Sequence, residues 1–449
     1  MGQVSFSLGK TAGRLSPVDV WQVVHPRRER FILTFSGQIP RNGAASSETP
    51  TPRILLVDCD MFYVQVARLE DPDGAGREEL LIVGGSPSGR GVVTSASYPV
   101  RAFGVRSGMP TGQALRLCPE AVVVPVSRKA CSARSREVRQ ALVQAAPVVQ
   151  AASIDEFYLD LSGTERLLHG EPLKDTAWAI REQVLEQTGI SVSIGGGTRK
   201  LIAKLAAGRA KPGGVQVVEA GQESEFMKSF QLGEIPGVGP ALAKQLQDRG
   251  LVSVSDLLPV GREWLDRWFG ESRGQWLWER VRGLDRSRVN PREPRKSVSS
   301  ERTFSKDIGD DSRLEKEVLK LVTSVGGALR RSGLRGRTVT VKIRDSDFKT
   351  RTASHTFPAP MEADSTLLKA ARELLSSLRR KRGGGVRLLG VGVSSLVEGE
   401  GLPQLELFLE EGPKESERHR TISRVVDDLK DRFGDDAVLP GGMLPEGDK

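Results

Sequence analysis

Residues 54–64 read ILLVDCDMFYV. Ile54–Val57 is a short apolar run of the kind that forms a buried strand. It leads directly into Asp58 and Asp60, and then into the aromatic pair Phe62 and Tyr63. An unpaired buried charge costs several kcal/mol, so a buried strand that ends in carboxylates calls for compensation, and a bound cation is one form of it. Strand alternation places Asp58 and Asp60 on one face.

A second acidic centre is Ser153–Leu161, SIDEFYLDL, where Asp155 and Glu156 precede an aromatic, alternating strand. Taken alone it reads as an acidic turn before an edge strand. The repeat of the arrangement at Asp58 gives two strand-linked carboxylate clusters in one α/β domain. Mg²⁺ is a hard cation that prefers carboxylate oxygens and leaves room for substrate phosphates. Two such ions, roughly 3.5–4 Å apart, can activate an attacking oxygen and stabilise the leaving one in a displacement at phosphorus. The chain has four histidines, none in a metal-binding spacing, which disfavours zinc.

Around these acids lie groups suited to phosphate. Val92–Pro110, VVTSASYPVRAFGVRSGMP, offers Tyr98, Arg101 and Arg106 in a glycine-bearing loop context. Guanidinium matches phosphate in a bidentate way, although Arg101 taken by itself reads as a surface residue. Ser193–Gly214, SIGGGTRKLIAKLAAGRAKPGG, joins a strand to a helix through three glycines. It lacks the G-x-x-x-x-G-K-[ST] order, which excludes a P-loop ATPase, and Lys211 before Pro-Gly-Gly is the better phosphate ligand. Ile235–Gly250, IPGVGPALAKQLQDRG, has Gly237 and Gly239 opening an amphipathic helix. Free backbone N–H groups there can hold an anion, in the pattern of a helix-hairpin-helix that grips a DNA backbone.

Residues 1–52 end in a small, polar, proline-bearing stretch and carry no motif. From there to about Val218, short apolar runs (Ile54–Val57, Leu80–Val83, Val92–Ser95, Val122–Pro125, Phe157–Leu161, Ser191–Ile194, Val215–Val218) alternate with helical spacing over Thr111–Leu117, Ser132–Gln144, Asp175–Thr188 and Lys200–Gly208. Glu234 to about Asp285 is helical, and its tryptophans 264, 268, 276 and 278 read as core. Asn290–Lys296 is an extended linker. After it the order is βαββαβ, with Leu314, Val318, Leu321, Val322 and Val325 in register on the first helix and Leu367, Ala371, Leu374, Leu375 and Leu378 on the second.

The chain has 449 residues, enough for about two to four domains. Its net charge of +9 suits a polyanionic partner. Cys59, Cys118 and Cys131 are odd in number and form no CxxC pair, which points to a reducing compartment. No apolar run approaches the roughly 18 residues that span a bilayer, and no signal pattern opens the chain. The expectation is a cytoplasmic protein with no membrane partner.

Together these motifs, from about Arg53 to Glu411 and with KSVSSERTFSKDI at Lys296–Ile308, resemble the Y-family translesion DNA polymerases of the DNA polymerase IV (DinB) type. The resemblance implies an α+β, multidomain right hand. Its palm spans 53–61 and 127–220, small fingers 62–126, a helical thumb with the helix-hairpin-helix 221–289, a linker 290–297 and a βαββαβ little finger 298–411. Residues 1–52 would be an extension and 412–449 a flexible tail.

It implies further that Asp58, Asp155 and Glu156, with the Cys59 carbonyl, hold two Mg²⁺, and leaves Asp60 without an assigned role. Phe62, Ser95, Tyr98, Arg101 and Lys211 would bind the nucleotide, and Tyr63 would be the steric gate against a ribose 2′-hydroxyl. Gly237, Gly239, Arg330, Arg331, Arg335, Arg337, Lys342 and Arg344 would contact DNA. Ala67 and Ala102 depart from the family pattern, which has Glu and a basic residue there.

Gln404, Leu405, Leu407 and Phe408, in QLELF, resemble the peptide that binds the bacterial sliding clamp; the same residues also read as a last strand. The implied function is template-directed, low-fidelity DNA synthesis by a monomer using dNTPs on primer-template DNA, without proofreading. The competing reading is an inactive, polymerase-shaped adaptor of the ImuB type, against which the retained acids argue.

Overall fold

The computed structural model describes residues 21–24, 30–33, 51–165, 170–381, 384–398, 415–434, 436–439 and 441. The chain divides into two compact units, Met1–Pro87 with Gly91–Arg292, and Ser88–Arg90 with Glu293–Lys449. In chain order the first unit has β1 (Trp21–Val24), β2 (Arg30–Leu33), β3 (Ile54–Cys59), α1 (Phe62–Glu70), β4 (Leu81–Gly84), β5 (Val93–Ala96), α2 (Tyr98–Ala102) and α3 (Thr111–Leu117). Next come β6 (Val122–Val124), α4 (Arg128–Ala145), β7 (Val148–Ala151), β8 (Glu156–Asp160), α5 (Leu173–Thr188), β9 (Val192–Gly197), α6 (Lys200–Ala210) and β10 (Val215–Val217). Five helices close it: α7 (Glu223–Lys228), α8 (Pro240–Gln247), α9 (Val254–Leu257), α10 (Arg262–Phe269) and α11 (Glu271–Val281).

The central sheet has the order β10-β9-β3-β8-β7, with β10 parallel to β9 and the rest antiparallel. Helices cover both faces, which is why Ile54–Val57 is uniformly apolar and not alternating. Leu55, Val57, Cys59, Phe157 and Leu159 pack with α4 and α5 residues such as Leu142 and Ile180. Ile54, Leu56 and Tyr158 pack instead with Ala203 and Ala207 of α6. By the two-residue period of a strand, Asp58 and Glu156 belong to the α6 face. A separate sheet, β5-β4-β6, carries α2 and α3.

The three glycines of β9 are buried strand residues. A Cβ on Gly195 would lie 2.0 Å from the Ala207 nitrogen and 2.1 Å from the Ala203 carbonyl oxygen. Gly195 therefore admits α6 to near contact with the sheet backbone, Gly196 faces Leu55 and Val217 instead, and the strand-to-helix junction read from sequence falls after them. Strand β7 went unread because its short run VVQA has no period of its own; it is an edge strand defined by pairing with β8.

The second unit contains β11 (Ser297–Ile308), α12 (Asp311–Arg331), β12 (Leu334–Asp345), β13 (Thr350–Met361), α13 (Asp364–Lys381), β14 (Val386–Glu398) and α14 (Glu417–Phe433). The antiparallel sheet β11-β14-β12-β13 realises the βαββαβ order. The stripe Leu314, Val318, Leu321, Val322 and Val325 of α12, and Leu367, Ala371, Leu375 and Leu378 of α13, are buried in one core.

Helix α14 corrects the expected flexible tail. It is docked through polar groups. The Arg330 guanidinium, only 4% exposed, pairs with Asp427 of α14 and with Asp364, and donates to the Glu362 carbonyl. Glu415 accepts from the backbone N–H groups of Glu362 and Ala363 at the start of α13, and the Ser423 hydroxyl accepts from that of Asp364. The apolar residues Ile422, Val425, Val426, Leu429 and Phe433 recur at helical spacing, yet Ile422, Val425 and Phe433 stay half exposed or more, so polar pairs hold this helix. Arg330, expected on DNA, is thus an internal ion-pair residue. Residues 404–408 lie outside the described residues. Among the described residues no helix is long and apolar enough to cross a membrane.

The tightness at β9 has a direct consequence. Gly195→Ala forces a methyl into backbone atoms that cannot swing aside, and overpacking of this kind costs about 1–3 kcal/mol or more. A lowered denaturation midpoint, with the conservative Gly208→Ala near neutral at an open helix position, is the expected result by chemical denaturation.

Candidate active site

β3 pairs with β8 so that Asp58 stands directly opposite Glu156, and the Cys59 N–H donates to the Asp155 carbonyl at 2.9 Å. The three acids named from sequence are therefore neighbours at one end of two strands. Each carboxylate is engaged separately. Lys211 Nζ lies 2.7 Å from Asp58 Oδ1, and Lys204 Nζ is 2.8 and 2.6 Å from the two oxygens of Glu156. Asp155 accepts from the Ser153 hydroxyl. Among the described residues no three His, Cys, Asp or Glu side chains converge as a metal-binding group.

The donor set nonetheless fits hard divalent cations. It consists of carboxylates at one strand end, and burial pushes the Asp58 carboxyl up, opposed by Lys211 and reinforced by the charges of Glu156 and Asp155. Like charges in partial burial demand positive charge, and lysines supply it here. Burial pushes the Cys59 thiol well up, so that side chain stays neutral.

Lys204 was missed in the sequence. The signal was present: Lys200, Lys204 and Lys211 follow a helical spacing that places them along one side of α6 and its end. Lys200 donates to Gln150 and lies 4.4 Å from the Tyr158 ring centre, on the same face of the sheet.

Helix α1 begins immediately after the strand, through Met61 in the left-handed region at φ 37°. Phe62 is buried among Val57, Phe157 and their neighbours. It supports the site from the core and carries Tyr63 edge-on at 5.6 Å between ring centres. Tyr63 is partly exposed; burial and then the Asp155 charge raise its phenol. The site therefore places Tyr63 in the field of Asp155.

Tyr98 opens α2 and donates its hydroxyl to Asp60 at 3.0 Å. Burial, and then Asp60, raise its phenol strongly. Arg101 is exposed, donates Nε–H to the Ala96 carbonyl, and lays its guanidinium over the Tyr98 ring at 4.9 Å. Ser95, expected at the nucleotide, is buried within β5 at 4% exposure because it pairs into the small sheet.

Gly239 caps the start of α8, and Gly237, at φ 100°, sits against the Trp276 ring, where a Cβ would be 2.5 Å away. They line a cavity of about 550 Å³ with Gln245, Ser272 and Arg273. Trp268, Trp276 and Trp278 pack against the helical core as expected, whereas Trp264 is 48% exposed.

In the second unit, Thr338, Thr340, Lys342 and Arg344 alternate along β12 with the core residues Val339, Val341 and Ile343. The face away from α12 and α13 is thus rich in hydroxyls. Thr340 bonds Ser354, Lys342 pairs with Glu301 at 2.6 Å, and Arg344 donates to Thr350. Arg331 and Arg337 are exposed and Arg335 is half-buried.

Three stretches match known protein families: 57–208 the impB/mucB/samB family, 295–407 that family's C-terminal domain, and 233–285 the thumb domain described for DNA polymerase-iota. The DNA polymerase IV of Caulobacter vibrioides is 34% identical over 397 residues, covering 88% of this chain and 95% of that protein. That of Desulfatibacillum aliphaticivorans is 36% identical over 395 residues, covering 88% and 97%. Among solved structures, a Y-family DNA polymerase chimera of Dbh and Dpo4 superposes with a TM-score of 0.69 at 25% identity, covering 77% of this chain and 100% of that one.

Proposed function

Because this chain belongs to the impB/mucB/samB family and is a translesion DNA polymerase of the DNA polymerase IV type, we propose that Asp58, Asp155 and Glu156 are its catalytic carboxylates. It catalyses divalent-metal-dependent nucleotidyl transfer from dNTPs onto DNA. The observation that carries the assignment is the register of β3 against β8, which stands Asp58 opposite Glu156 and next to Asp155.

In this reading the three carboxylates and the Cys59 carbonyl hold two Mg²⁺. Held there, two Mg²⁺ would supply the positive charge that attack of a primer 3′-hydroxyl on the α-phosphate and departure of pyrophosphate require. The remaining work belongs to side chains of the chain itself. Lys211, at the end of α6, transfers its ammonium from Asp58 to a phosphate oxygen of the triphosphate. Arg101, exposed beside Tyr98, adds a guanidinium to the same phosphates. Tyr63, with Phe62 locked behind it, presents a ring edge that crowds a ribose 2′-hydroxyl.

The domain division follows the same reading. The central sheet, built from 54–59 and 148–217, is the palm, the small β5-β4-β6 sheet lies in the fingers at 62–126, and the α7–α11 region is the thumb at 221–289. The little finger begins at about 298, and its hydroxyl-rich sheet face with Lys342 and Arg344 meets backbone phosphates, joined by Arg331, Arg335 and Arg337. Gly237 and Gly239 offer backbone N–H groups to a further phosphate. Gln404–Phe408 takes the sliding clamp. The enzyme acts as a monomer in the cytoplasm, where its three buried thiols stay reduced.

In primer extension with Mg²⁺, Asp155→Ala/Glu156→Ala is expected to lose activity by about 10³-fold or more. Equal extension by wild type and variant removes the assignment. Tyr63→Ala should admit ribonucleotides, with a rise in ribonucleotide kcat/KM of at least about 10-fold; unchanged sugar selection sinks the gate. Deletion of residues 404–408 should leave distributive synthesis intact and abolish stimulation by added clamp.

A further inference from the structure

Asp60 is two residues beyond Asp58 and is only 2% exposed. Its Oδ1 accepts from the Tyr98 hydroxyl at 3.0 Å and the Ser193 hydroxyl at 2.8 Å. Its Oδ2 accepts from the Ser191 hydroxyl at 3.1 Å and the Gly213 N–H at 2.9 Å. A carboxylate has about four lone-pair sites, and four neutral donors fill them here. Three separate pieces of chain meet on this side chain: α2 through Tyr98, the start of β9 through two serines, and the turn after α6 through Gly213.

We propose that Asp60 is a positioning residue and not a metal ligand: its carboxylate fixes the Lys211–Gly213 turn and Tyr98 against β9, and so sets where the triphosphate-holding groups stand relative to Asp58. The inference rests on the reading of Lys211 and of Arg101, which lies over the Tyr98 ring, as triphosphate ligands. The donors differ in what they require. Hydroxyls of Tyr98, Ser191 and Ser193 rotate and can either give or accept a proton, but the Gly213 N–H can only donate. It is shared between Asp60 and the Ser193 hydroxyl, 2.9 Å away. A neutral amide therefore suffices at position 60, with its carbonyl toward Gly213 and its NH₂ toward Tyr98 and Ser193. A metal ligand, by contrast, needs the anion.

The full chain is assayed by single-nucleotide insertion, with DNA affinity from fluorescence anisotropy and folding from thermal melting. Asp60→Ala is expected to raise the dNTP KM by about 10-fold or more, with kcat within about 3-fold and DNA affinity unchanged. Asp60→Asn is expected to restore KM to within about 3-fold of wild type. If Asp60→Asn raises KM as much as Asp60→Ala does, or if either variant lowers kcat by more than about 10-fold, the residue acts by charge or as a ligand and the proposal falls. It falls also if a folded Asp60→Ala keeps the wild-type KM.

Should Asp60→Ala not fold, Ser193→Ala takes its place, because it removes the hydroxyl shared with Gly213; a KM rise of about 3-fold at constant kcat supports the proposal and no rise overturns it. Lys211→Ala separates the two levels. If it leaves KM unchanged, the triphosphate assignment fails; if it raises KM while the position-60 variants do not, only the positioning role fails.

Discussion

Two carboxylates, Asp58 and Glu156, face each other across neighbouring antiparallel strands, and the surrounding structure answers to that juxtaposition. Like charges directly opposite on a sheet are destabilising, more so under partial burial. Helix α6 offsets them by delivering Lys204 to Glu156 and, at its end, Lys211 to Asp58. Those ammonium groups reach the strands only because α6 lies almost on the sheet backbone, with Ala203 and Ala207 against Gly195. Small residues in the strand and helix thus set the electrostatics of the site. A site that is paired by movable lysines, and not by fixed arginines, can hand its carboxylates to cations and its ammonium groups to phosphates.

The same sheet face separates two acids that look alike in sequence. Asp58 meets one cationic partner and keeps an oxygen for other ligands. Asp60 is saturated by neutral donors and serves as a post to which α2, β9 and the Lys211 turn are tied. The difference comes from depth and from neighbours, not from residue type.

The second unit is built on a contrasting principle at its helical side. Its core is an apolar sheet with two amphipathic helices, but α14 is held by Arg330, Asp364, Asp427, Glu415 and Ser423. A buried guanidinium with two carboxylates is geometrically exacting, and removing one partner leaves an uncompensated charge. It fixes the orientation of α14, while the apolar side chains Ile422 and Val425 remain half exposed.

Sequence by itself determined the strands and helices whose side chains repeat with the right period: Ile54–Val57, the stripes of α12 and α13, and the βαββαβ order. It also marked Asp58, Asp155, Glu156 and Lys211, because acids beside apolar strands and a lysine before Pro-Gly-Gly break local rules, whereas Tyr63 was singled out only through the family resemblance. What it did not determine depends on partners far along the chain. Edge strand β7 exists through β8, Arg330 is withdrawn into ion pairs by a helix nearly a hundred residues away, and Ser95 is buried by strand pairing. Lys204 and Asp60 gained their places in the same way, from donors and acceptors that only folding brings together. Periodicity is a local property that a sequence carries openly. Hydrogen-bond saturation and charge compensation are pairings between distant residues, and only the tertiary structure decides them.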